Sequence, residues 1–64
     1  MDINEAKTAI KNKRIVRHHD INYIITAAIL RHEKGEWKYS LELMDLKAKH
    51  SVVIADINKV KGAD

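Results

Sequence analysis

Tyr23-Ile24-Ile25-Thr26-Ala27-Ala28-Ile29-Leu30 is the stretch on which the fold turns. Read as a strand, Tyr23, Ile25, Ala27 and Ile29 share one face, and Ile24, Thr26, Ala28 and Leu30 share the other. A helix also fits so apolar a run. The β-branched series Ile24-Ile25-Thr26 decides for a strand, because such side chains are stiff at χ1 and pack well on a pleated surface. So does the polar loop Glu33-Lys34-Gly35-Glu36, which places the glycine where a hairpin needs a positive φ. The strand covers about residues 22–32. Apolar on both faces, it calls for shielding by a closed barrel or by a second subunit.

Downstream the alternation is cleaner. Trp37, Tyr39, Leu41 and Leu43 fall on one face and Lys38, Ser40 and Glu42 on the other, giving a strand over about 36–45, with Met44 breaking the polar face at its far end. Asp45 to His50 reads as a charged turn and 51–55 as a short buried strand. Asp56-Ile57-Asn58-Lys59 reads as a capped turn of 3₁₀ helix before a last strand over about 60–62. Upstream, Asp2 and Glu5 have the spacing of a capping box, and Ile3, Ala6 and Ile10 form an apolar stripe, so a helix is expected over about 2–12. A first strand follows over about 14–19, with turn chemistry at Asp20–Asn22. The expected class is α+β: an N-terminal helix followed by a curved antiparallel sheet of four or five strands.

That order, with a 3₁₀ turn before the last strand, resembles the small SH3-like barrels, and most of all their Sm-like subgroup. The segment carrying the resemblance runs from Leu41-Glu42-Leu43-Met44-Asp45 through Ser51-Val52-Val53-Ile54-Ala55-Asp56-Ile57-Asn58-Lys59-Val60. The resemblance implies a small barrel and a ring or dimer of copies. It implies no RNA-binding residue, because Val53, Ile54 and Ala55 stand where the bacterial Sm-like RNA chaperone has Tyr-Lys-His. Asp20-Ile21-Asn22 likewise stands where the Sm-like family has Asn-Gly. In size and style the chain also resembles short accessory proteins of phages and mobile elements.

The chain has 64 residues, enough for one domain over 1–64. A domain of this size hides only about 60% of its unfolded surface, so stability is scarce. Without Cys there is neither a disulfide nor a thiolate metal site to supply it, which leaves homo-oligomerisation as the common remedy. No apolar run reaches the roughly 18 residues of a membrane span and no signal-peptide pattern opens the sequence, so the expectation is a cytoplasmic protein without a membrane partner. Net charge is +3, from 12 basic and 9 acidic residues. The excess is concentrated in Lys11, Lys13, Arg14, Arg17, His18 and His19, a stretch with no acidic residue.

Side chains alternate along a strand at about 6.6 Å, close to the spacing of nucleotide phosphates. Lys11, Lys13, Arg14, Arg17 and His19 are therefore candidate phosphate contacts, with Arg31 as a further anion contact and Trp37 as a stacking surface for a base. The competing readings are a solvated edge strand for the basic stretch and core positions for Tyr39 and, in part, Trp37. A metal site from His18, His19, His32 and His50 is not expected, because neighbours on a strand point to opposite faces and zinc needs converging ligands. Nor is catalysis. Ser40, Ser51, Thr8 and Thr26 lack an elbow or a partner base, and Glu42 and Asp45 face opposite ways. The expectation is a non-enzymatic binding module without cofactor, its ligand being nucleic acid or, alternatively, a host protein met by a phage- or mobile-element-type inhibitor.

Overall fold

Asp2 starts the helix. Its carboxylate accepts the Glu5 backbone N–H at 2.8 Å, and the Glu5 carboxylate accepts the Asp2 backbone N–H at 3.2 Å. This reciprocal box satisfies two donors that the first helical turn would leave unbonded. In the computed structural model, which describes residues 1–63, α1 then spans Ile3–Asn12. It ends at Lys13, whose left-handed backbone (φ 52°, ψ 44°) lets its own N–H bond back to the carbonyls of Ala9 and Ile10. Ala6 and Ala9 are buried, and their small side chains bring the helix close to the sheet. Asp2→Ala is expected to cost about 1 kcal/mol, read from the urea midpoint. Lys13→Gly, which removes the Cβ penalty of the left-handed position, is expected to stabilise by up to about 1 kcal/mol in the same assay.

Five strands follow: β1 (Ile15–His18), β2 (Ile21–Glu33), β3 (Glu36–Asp45), β4 (Val52–Asp56) and β5 (Lys61–Gly62), with a 3₁₀ turn, η1 (Ile57–Lys59), before the last. All neighbouring pairs are antiparallel and the order across the sheet is β4-β3-β2-β1-β5. The class is thus α+β, as the residue pattern indicates. The barrel is not closed, however. β4 and β5 lie at opposite edges and do not pair with each other.

Two hairpins set the register. His19 and Asp20 both have positive φ (50° and 62°), and so do Lys34 and Gly35 (50° and 79°). This is the sign pattern of two-residue turns whose twist matches the strands they join. The turn expected at Asp20–Asn22 therefore begins one residue earlier, and His19 belongs to it rather than to β1. Asp56 caps η1 as its position suggests, its carboxylate accepting the Asn58 N–H at 2.8 Å.

A bulge in β2 corrects the face assignment of its apolar run. Ile25 pairs with Leu43 and Ala27 with Glu42, leaving Thr26 as the extra residue. The Thr26 hydroxyl donates to the Glu42 carboxylate at 2.7 Å, which holds the bulge in place. Alternation resumes shifted by one. Tyr23 and Ile25 are followed on the core side by Ala28 and Leu30, while Ile24, Ala27 and Ile29 share the outer side.

The core joins Ala6 and Ala9 of α1 to Val16, Tyr23, Ile25, Leu41, Leu43, Ala55, Ile57 and Val60. The fragment read as a short buried strand turns out to be mostly exposed. Val52, Val53 and Ile54 are 50%, 37% and 51% accessible, and only Ala55 and Ile57 beyond them reach the core. β4 is an edge strand, and none of the described residues pairs with its outer side.

Candidate functional site

Pairing of β1 with β5 places Lys61 directly opposite Arg17. Both side chains lie on the outer face, where like charges in cross-strand register repel. Arg17 is steadied from its other side by Asn22, whose side-chain oxygen accepts the Arg17 Nε–H at 3.2 Å. Next to it, the His18 ring nitrogen Nδ1 sits 3.0 Å from the Lys59 carbonyl, anchoring η1 against β1. The left-handed turn residue His19 folds back so that its ring centroid is 4.0 Å from that of His18. This overturns the expectation that the two imidazoles point to opposite faces, because His19 lies beyond the end of the strand. Arg17 and Lys61 thus share the outer face of the β1–β5 pair, while His18, with His19 against it, lies on the Tyr23 side beside the Lys59 backbone. Among the described residues, the single ion pair within 4.0 Å lies elsewhere, between Arg31 and Glu33.

Lys11 and Lys13 lie at the C-terminal end of α1, where a cation is also favoured by the helix dipole. Arg14 lines a shallow depression of about 420 Å³ together with Asp2, Glu5, Thr8 and Gly62, so it faces the acidic start of the helix rather than Arg17. β1 is not a bare edge strand, since β2 and β5 flank it.

Arg31 and Trp37 are brought to a different place. Arg31 lies nine positions beyond Asn22 on β2, about 30 Å along the strand at 3.3 Å per residue, in a molecule 37 Å long. There the hairpin protrudes past the core. Arg31 stands opposite Lys38, and Glu33 opposite Glu36; with Lys34 in the turn, the tip carries three cations and two carboxylates. On the other side of the hairpin Trp37, 63% exposed, meets its cross-strand partner His32 edge-on at 4.8 Å. Trp37→Ala is expected to change stability by less than about 0.5 kcal/mol, in contrast to any core aromatic, as measured by urea unfolding.

The outer face also carries an apolar row. Register places Ile15, Ile24, Met44 and Val52 side by side across β1, β2, β3 and β4, with Ile54 one step along. Among the described residues no α-helix lies on this face: α1 buries its small residues in the core on the opposite side.

Lys59 and Lys61 were not legible as site residues, because nothing local in the sequence says that the C-terminal strand returns beside β1. The one available signal is the 3₁₀ turn after β4, which redirects the chain. Among the described residues no group of three or more His, Cys, Asp or Glu converges as a metal site, and no helix is long and apolar enough to cross a membrane. No protein-family model, curated protein or solved structure matches the chain.

Proposed function

We propose that the domain is a non-enzymatic nucleic-acid-binding accessory module of the cytoplasm that grips the phosphate backbone with its β1–η1–β5 edge. The observation carrying this reading is the pairing of Arg17 with Lys61 and no carboxylate within ion-pair distance among the described residues. Two cations held face to face disfavour the free protein slightly and are relieved by an anion between them. Lys59, in the adjoining 3₁₀ turn, adds a third cation beside the pair. Phosphate contacts of this kind give affinity without base specificity. The helix-first order of elements, with its 3₁₀ turn before β5, supports placing the fold beside the SH3-like and Sm-like small barrels, in an open form.

The test is an NMR titration with a short single-stranded DNA or RNA and with a duplex. Amide signals of Arg17, His18, Lys59 and Lys61 are expected to move most, those of Ile29 and Lys38 little. Movement confined to the hairpin tip, or none at low salt, would count against the reading.

A protein ligand is the second reading, in which the domain acts as an adaptor or inhibitor docking on a host protein. It is favoured by the half-buried row Ile15–Ile24–Met44 that runs on into the exposed Val52 and Ile54, since exposed apolar patches on small proteins mark contact surfaces. A partner recovered by the parent chain and lost with Ile24→Lys supports it; equal recovery by both contradicts it.

A further inference from the structure

The two edges of the sheet are built differently. β5 is two residues long and presents Lys61 and Gly62, the short, charged form that discourages further pairing. β4 has little of this protection: Val52-Val53-Ile54-Ala55 contains no charge, no proline and no bulge, the one charge of the strand is Asp56 at its end, and its first three side chains are exposed. The Ser51 carbonyl accepts the Asp45 N–H at 3.1 Å. That bond fixes the parity of the strand: the backbone groups of Ser51, Val53 and Ala55 face β3, and those of Val52 and Ile54 face outward.

We propose that β4 is a self-association edge at which a second copy of this chain pairs antiparallel, with the twofold axis at Val53. In this register each Val52 lies opposite Ile54 of the second copy and the pair exchanges both outward N–H···O bonds. The flanking Ser51 and Ala55 of the two copies meet without like charges facing each other. A shift of two residues, centred on Ile54, would instead set Val52 against Asp56 and lose the apolar match. The self-pairing makes one continuous sheet of ten strands, five from each copy. It also joins the apolar rows of the two outer faces through their Val52–Ile54 contacts. The cationic β1–β5 edges are left free at the two far ends. The contact is short, so a dimer in the micromolar range is expected rather than a permanent one.

Sedimentation over a concentration series up to about 1 mM is expected to pass from 7.4 kDa to twice that mass. Ile54→Pro removes an N–H that bonds nothing within the chain, so circular dichroism should stay unchanged while association weakens by about tenfold or more. Val53→Cys tests the register. At the axis the two Val53 Cα atoms lie about 4.5 Å apart, within reach of a disulfide, and the chain has no other cysteine. Mild oxidation should therefore link Val53→Cys into a covalent dimer and leave Ile54→Cys largely unlinked. A monomer at every concentration overturns the proposal. So does a mass of three or more copies, which would mean a head-to-tail contact, and so does a dimer indifferent to Ile54→Pro. None of these outcomes depends on whether nucleic acid binds.

Discussion

Replacing Leu41 by alanine is expected to destabilise the domain by about 2–5 kcal/mol, as read from urea unfolding. Leu41 is fully buried, and its cross-strand neighbours are Ala28 on β2 and Ala55 on β4. Both are too small to move into the space a lost isobutyl group leaves, so the cavity stays open and the cost falls in the upper part of that range. A domain of 64 residues has a total stability of about 3–10 kcal/mol, so the variant should lose a large fraction of it. Leu30→Ala is the control. Leu30 lies on the same side of the sheet but beyond the core, 56% exposed, and its loss should cost less than about 1 kcal/mol. Equal effects at the two positions would mean that the core does not end where the hairpin begins to protrude.

The double charge reversal Arg17→Glu, Lys61→Glu is expected to weaken binding to a short oligonucleotide about a hundredfold or more at low salt. It exchanges two attractive charges for two repulsive ones at the centre of the cationic edge. The pair remains a like-charge pair in register, so the electrostatic strain in the free protein is about the same and thermal stability should change little. Binding and folding are thus separated within one variant. Lys38→Glu, at the hairpin tip, where Glu33 and Glu36 offset most of the positive charge, should reduce affinity by no more than a few-fold. If Lys38→Glu matched the double variant, the ligand would be reading net charge and no edge in particular.

Much of the fold was legible because the decisive residues act locally. The Asp2–Glu5 box, the Gly35 hairpin, the alternation from Trp37 to Leu43 and the Asp56 cap each determine structure within a few residues of themselves. The bulge was not legible. In a run as apolar as Ile24 to Leu30 no polar residue marks the face, so a shift of one leaves the pattern unchanged, and only the distant Glu42 shows why Thr26 is the residue left over. Openness of the sheet was hidden for a related reason: strand patterns describe pairs of neighbours and say nothing about whether the first and last strands meet. The basic stretch was visible as composition, but the structure divides it. Lys11 and Lys13 stay at the helix end and Arg14 turns toward the helix start, while Arg17 meets Lys61 from the far end of the chain and His19 lies against His18. Arg31 and Trp37 stand apart from all of them, at the tip of the hairpin.

The most direct measurement is the affinity of the wild-type chain for a single-stranded oligonucleotide between about 50 and 200 mM salt. If Arg17, Lys59 and Lys61 each displace a counterion from a phosphate, the logarithm of the association constant should fall linearly with the logarithm of salt, with a slope of about −2 for three contacts to a single strand. A slope near zero, or no binding at the low end of that range, would contradict a phosphate-gripping edge.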